Sequence, residues 1–170
     1  MRTTICSAVL AAALALTLPY AGAQAPATKP AAAKPKDSAA VERGRYLARI
    51  AGCNDCHTPG YLLNAGKVPE NLWLTGDALG WRGPWGTTYA PNLRDKVPKM
   101  TEAQWVEYAK TAQFRPPMPW FNLHEMTEAD LKALYRFIAH LGPGGQPAPA
   151  YVPPDQEPKP PYVTFPAPPK

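Results

Sequence analysis

Apolar and polar positions repeat with a helical period in three stretches of the chain. From about Ala39 to Gly52, the residues Gly44, Leu47, Ala48 and Ala51 fall on one side at spacings of three and four. That side is small enough for another helix to cross closely. A second helix is predicted to start at Thr101, an N-cap with Gln104 three residues on in a capping-box pattern. Trp105, Val106, Ala109 and Ala112 follow, and the helix ends before Pro116-Pro117. A third starts at the N-cap Thr127, with Glu128 and Asp130 at the positive end of its dipole. Leu131, Leu134, Tyr135, Ile138 and Leu141 form its apolar stripe, and Gly142-Pro143 stops it. No βαβ alternation, internal repeat or strand run of useful length is visible, so the expected fold class is all-α.

Three other stretches break the helical pattern. The apolar run from Ile5 to Leu18 follows Arg2 and precedes Ala21-Gly22-Ala23, the small residues of a cleavage site, so residues 1–23 read as an export signal. No segment reaches the ~18 apolar residues of a membrane span, and none is expected after cleavage. Residues 24–40 are rich in Ala, Pro and Lys with no bulky apolar side chain, and read as a linker. Residues 142–170 hold 11 of the 23 prolines, a density that disfavours helices and central strands and favours extended segments. Tyr151, Val152, Tyr162, Val163 and Phe165 punctuate this tail, which implies that it lies against something, either its own domain or a partner. The working domain is then about 41–141.

Charge narrows the function classes. The formal charge of +5 is spread thinly, with 12 basic and 10 acidic side chains between residues 41 and 141. No Lys/Arg cluster is interleaved with aromatics, so nucleic acid is not an expected partner.

About forty residues rich in Gly, Pro and Trp separate the first two helices. A loop of that size needs something else to supply the core it covers, and a large buried ligand would do so. Cys53-Asn54-Asp55-Cys56-His57, at the end of the first helix, has the C-x-x-C-H spacing of covalent c-type haem attachment. Two thiols three residues apart can each add to one porphyrin vinyl group, and the next residue presents an imidazole nitrogen to iron. Three other uses of the pair compete. A thioredoxin-like redox pair would want a preceding strand. Zinc would need further ligands from His124, His140 or a carboxylate. A plain disulfide would leave His57 and the missing core unexplained. Cys6 leaves with the export signal.

On Cys53-Asn54-Asp55-Cys56-His57, on Met118-Pro119 sixty-one residues beyond His57 and on a closing helix, the chain resembles single-haem class I cytochromes c over about 41–141. The resemblance implies a small helical domain wrapped around one covalent haem c, with His57 as one axial ligand and Met118 as the other. The residues themselves also single out Met118. Met100 and Met126 each precede an N-cap at the hydrophobic-staple position, facing Trp105 and Leu131. Met118 sits instead in Arg115-Pro116-Pro117-Met118-Pro119, where prolines stiffen a loop around a soft thioether. His140 reads as a surface residue and His124 as a solvent-facing loop residue or runner-up ligand.

All five tryptophans fall between residues 60 and 121, and a buried indole N–H needs an acceptor that a haem propionate could supply. Trp81, Arg82, Trp85 and Tyr89 are the candidates for that contact, although tryptophans also serve as core filler. The Gly-rich run ending at Asn92 is also similar to haem modules of cytochrome subunits serving membrane dehydrogenases. With a single C-x-x-C-H, the chain departs from the three-haem members of that group.

The expected function is that of an exported, periplasmic electron carrier rather than an enzyme, exchanging single electrons with redox proteins such as a dehydrogenase, an oxidase or another cytochrome. Two alternatives remain. One is a haem enzyme or gas sensor with an open sixth position. The other is a cytochrome subunit whose proline-rich tail wraps a larger dehydrogenase or oxidase.

Overall fold

The computed structural model describes residues 35–166. The expected export signal, residues 24–34 of the expected linker and residues 167–170 of the tail lie outside the described residues. Helix α1 (Pro35–Ile50) includes residues of the stretch read as linker. Its small-residue side packs along α6 (Glu128–Leu141). A Cβ placed on Gly44 would lie 2.1 Å from the Ala133 carbonyl oxygen and 2.6 Å from Phe137 Cβ. The two backbones therefore touch where the spacing of small residues anticipates a close crossing, and Leu47 and Ala48 are buried on the same side.

Helix α4 (Glu102–Thr111) carries the capping box in full. Thr101 Oγ1 accepts from the Gln104 backbone N–H at 3.2 Å, and Gln104 Oε1 accepts from the Thr101 N–H at 2.8 Å. The Trp105 indole N–H donates to the Leu131 carbonyl at 2.8 Å, which ties α4 to the first turn of α6. Thr127 caps α6 by accepting from the Asp130 N–H at 3.1 Å. Leu131, Leu134 and Ile138 are buried, as are Ala133 and Phe137, so the buried face is broader than the expected stripe. At the other end Gly142 takes φ 66°, and the buried Arg94 guanidinium donates to the carbonyls of Leu141 at 2.6 Å and Gly142 at 2.7 Å. A third bond, to the Asn71 carbonyl at 2.7 Å, links this helix end to the chain before Trp73.

The long segment between the first two predicted helices is not structureless. It contains α2 (Cys53–His57), a 3₁₀ turn at Glu70–Leu72, strands β1 (Gly80–Gly83) and β2 (Gly86–Tyr89), and the short helix α3 (Leu93–Lys96). A further short helix, α5 (Trp120–Glu125), precedes α6.

The expectation of an all-α fold needs correcting. β1 and β2 form an antiparallel hairpin with Gly83 opposite Gly86, and β3 (Tyr162–Thr164) from the tail pairs parallel to β1. The sheet order is β2-β1-β3. Strands of three and four residues give too little alternation to be read from a pattern, and the parallel partner lies about eighty residues away in sequence.

The tail lies on its own chain. Val152 forms a two-way backbone bridge with Thr87, at 2.7 and 3.0 Å. The Phe165 ring packs on Trp81 and Trp85, with centroids 6.0 and 5.4 Å apart. No helix among the described residues is long and apolar enough to cross a membrane.

Candidate functional site

A cavity of about 660 Å³, within the usual range of about 300–1,000 Å³ for ligand pockets, lies between the helical part and the hairpin. Its wall is mainly apolar. α2 contributes Cys53, Cys56 and His57, α4 contributes Trp105, and α6 contributes Leu134 and Ile138. The end of β2, the segment 113–119 and the tail close the rest.

The geometry around α2 follows from its local sequence. Gly52 takes φ 73°, a left-handed conformation that lets the chain leave α1 and start a new helix within three residues. The short helix puts both thiols and the imidazole into the same wall. His57 Nδ1 lies 2.9 Å from the Pro91 carbonyl oxygen, which can only accept, so Nδ1 carries the proton. Nε2 is left as the lone-pair nitrogen and, among the described residues, makes no hydrogen bond. Burial lowers the His57 pKa below its usual value, with the Pro91 bond working the other way, and so favours the neutral ring that a metal requires.

Three further bonds hold this segment. The His57 carbonyl accepts from the Gly76 N–H at 2.9 Å. Thr58 Oγ1 donates to Asn54 Oδ1 at 2.7 Å and accepts from the Leu74 N–H at 2.8 Å. Asn54 and Thr58 flank Cys56 and His57, yet nothing in their spacing marks them as a pair before the fold is known.

The cysteines are free thiols. Burial pushes the Cys53 pKa up to about 11 and raises that of Cys56, the opposite of the thiolate stabilisation in a dithiol redox centre. α2 follows a helix rather than a strand, which also weighs against a thioredoxin-like arrangement. Among the described residues, no three His, Cys, Asp or Glu side chains gather as a metal ion would need.

Met118 lines the cavity, and so do Met100 and Met126. Their backbones differ in attachment. The Met100 carbonyl accepts from the Tyr135 hydroxyl at 2.8 Å and the Met126 carbonyl from the Lys110 ammonium, consistent with residues that seat the starts of α4 and α6. The Met118 carbonyl accepts only locally, from the Trp120 N–H at 2.9 Å, and the residue stands in the proline loop, in which the Pro116-Pro117 bond is cis.

The four aromatic and arginine candidates divide. Trp81 and Tyr89 line the cavity, whereas Arg82 and Trp85 do not. Neighbouring residues of a strand point to opposite faces, so Arg82 turns away from Trp81. Arg82 pairs with Glu157 at 2.7 Å and stacks on Tyr162. Trp85 lies in the turn of the hairpin, packed on Phe165. The buried indole N–H of Trp81 has no hydrogen-bond partner. The Trp85 indole N–H, outside the cavity, is buried without a partner in the same way, so the orphaned donor does not by itself mark the cavity wall.

The histidines read as alternatives find other places. His140 is exposed at the end of α6. His124 is neither a cavity residue nor a free loop residue: it sits in α5, half-buried, with Nε2 3.1 Å from the Ala112 carbonyl and its ring 4.9 Å from that of Trp120.

The wall therefore fits a covalently held haem. It offers two thiols, an imidazole whose Nε2 makes no hydrogen bond among the described residues, nearby thioethers and an apolar lining.

Comparison with known proteins points the same way. The chain is 30% identical over 148 residues to one of the subunits of the nicotinate dehydrogenase of Pseudomonas putida, an alignment covering 81% of this chain and 12% of that protein. It is 29% identical over 122 residues to the cytochrome c subunit of the quinone alcohol dehydrogenase of Gluconacetobacter polyoxogenes, covering 65% of this chain and 24% of the relative. A third relative, the gluconate 2-dehydrogenase cytochrome c subunit of Pantoea cypripedii, is 28% identical over 115 residues, 61% of this chain and 24% of its own. The chain thus spans a quarter or less of the length of these curated relatives. No family model and no solved structure matches it.

Proposed function

We propose that this chain is an exported c-type cytochrome module that carries one covalent haem and passes single electrons between redox proteins, without turning over a substrate of its own. The observation that carries this reading is the composition of one cavity wall: Cys53 and Cys56 as free thiols beside a His57 whose Nε2 is unengaged. Cys53 and Cys56 would hold the haem as thioethers, with His57 and Met118 as axial ligands and the Trp81 N–H meeting a carboxylate of the group. When bound, the haem supplies the one-electron chemistry.

The chain's own residues set the conditions for that chemistry. The Pro91 carbonyl orients the His57 ring and strengthens Nε2 as a donor. Trp105, Leu134 and Ile138 line the cavity with apolar surface, which keeps water away and tunes a potential through the local dielectric. Cytochrome c subunits of dehydrogenases among the relatives favour a dehydrogenase as electron donor. The greater length of those relatives favours work inside a larger assembly over a freely diffusing shuttle.

The test is the mass and visible spectrum of the protein produced in a host that attaches haem c. A mass one haem above the polypeptide is expected, with a methionine-to-ferric-iron band that Met118→Ala abolishes. A colourless product of polypeptide mass would overturn the proposal. Ready carbon monoxide binding by the reduced parent protein would instead favour an open sixth position.

A further inference from the structure

We infer that Tyr151 is a positioning residue: through it, the C-terminal tail acts as a strap that holds the Met118 loop closed over the cavity. The inference rests on the reading of Met118 as a ligand. Three segments distant in sequence meet at the cavity's edge. Thr88 and Tyr89 come from the hairpin, Arg115, Pro117 and Met118 from the loop, and Pro149 and Tyr151 from the tail.

The loop has little backbone structure of its own to hold it. Among the described residues, no backbone N–H between 113 and 119 donates to another backbone group, and three of those positions are prolines with nothing to donate. Phe114 fixes the start of the loop, its ring 5.5 Å from that of Tyr108 and near the Lys96 ammonium. Two further contacts hold the proline stretch beside Met118. Thr88 Oγ1 donates to the Pro116 carbonyl at 2.7 Å, which joins loop to hairpin. The Arg115 guanidinium lies 4.0 Å from the centre of the Tyr151 ring, which joins loop to tail.

The tail can serve as an anchor because it is itself fixed at that point. The Tyr151 hydroxyl donates to the Trp85 carbonyl at 2.7 Å, and the next residue makes the two-way bridge to Thr87. The approach is close enough to require glycine opposite. Gly86 takes φ 95°, and a Cβ there would fall 2.5 Å from the Val152 carbonyl oxygen and 2.7 Å from the Tyr151 hydroxyl. The ring of Tyr151 is thus held between a hairpin it cannot leave and an arginine two peptide bonds from Pro117.

A ligand that binds only when the loop opens has its apparent affinity scaled by the open fraction. A cation stacked on an exposed ring shifts such an equilibrium by about two- to five-fold. Its loss should strengthen the binding of an external iron ligand by the same factor.

The experiment uses the full haem-loaded protein. The ferric parent is first examined for the methionine-to-iron band, then titrated with imidazole alongside Tyr151→Ala, Tyr151→Phe, Arg115→Leu and Arg115→Lys. Tyr151→Ala and Arg115→Leu should each bind imidazole about two- to five-fold more tightly while the band persists in its absence. Tyr151→Phe and Arg115→Lys, which keep a ring and a cation, should stay nearer the parent. The two residues approach one contact from opposite sides, so poor folding of one variant leaves the other decisive. A parent without the band would sink the ligand reading and this inference with it. A parent with the band, and variants with unchanged imidazole affinity, would sink this inference alone.

Discussion

The helical part of the molecule and its hairpin-and-tail part are stabilised on different principles. α1, α4 and α6 each obey rules that act within a few residues: Thr101 and Thr127 cap their helices, and apolar positions recur at three and four. The sheet obeys none of these. β1 and β2 pair locally, but the pairs that bring in the tail, Trp81 with Val163 and Thr87 with Val152, join residues more than sixty apart, and no short stretch of sequence announces them. The division also runs through the cavity. α2, beside the helical core, supplies the thiols and the imidazole, whereas the hairpin and tail supply the edge. Chemistry sits where local sequence is most informative, and access to it is set where local sequence is least so.

The sharpest way to break this division is at the α1–α6 crossing. Gly44→Leu would drive a side chain into the Ala133 carbonyl and Phe137, against backbone that cannot move without separating the helices. Overpacking of a core costs about 1–3 kcal/mol, and a clash with main chain belongs at the upper end or beyond it. Urea denaturation followed by far-UV circular dichroism should show a loss of about 3 kcal/mol or failure to fold. A loss below about 1 kcal/mol would mean that the crossing is loose and that glycine is not required there.

A smaller effect is expected from the other part. Phe165→Ala removes the ring that Trp81 and Trp85 share, at a half-buried position. Full burial of Phe is worth about 3–5 kcal/mol, so about 1–2 kcal/mol is expected here. If the two parts are distinct, amide exchange should quicken in β1 and β3 while α1 and α6 keep their protection. Equal quickening in both would show a single cooperative unit and remove the contrast.

The same contrast explains what could be read beforehand. Gly44, the Thr101–Gln104 box and the stripe from Leu131 to Ile138 were legible because a helix places neighbours by fixed arithmetic. Cys53, Cys56 and His57 stand out in the sequence because their spacing carries chemistry, and the fold brings all three into one cavity wall. The division between Trp81, in the cavity wall, and Arg82 and Trp85, outside it, was not legible, because it depends on which face of a four-residue strand turns inward and on where the hairpin turn directs Trp85. Asn54 and Thr58 escaped, and Tyr151 was read only as a tail residue lying against something, for a related reason. Their roles come from contacts with Leu74, Trp85 and Arg115, partners that only the folded chain brings near.

The smallest expected effect probes the helical part from its surface. Arg43 Nε donates to Asp130 Oδ1 at 2.9 Å, pinning α1 to the first turn of α6. The Arg43 bond, with help from the Thr127 hydroxyl, holds the Asp130 carboxyl below its usual value of 3.8. A depressed carboxyl stabilises the fold above its unfolded pKa, and that contribution fades as pH falls through the lower folded value. Asp130→Asn should therefore lower the urea midpoint slightly at about pH 6, and the gap from the parent should close towards about pH 2. Screening should narrow it as well, since Arg43 is exposed and salt weakens a solvent-facing pair. A gap that persists undiminished in acid would trace the difference to the fit of Asn at the helix start. In that case the link between α1 and α6 would rest on Gly44 and the packed side chains alone, with no contribution from the charges around them.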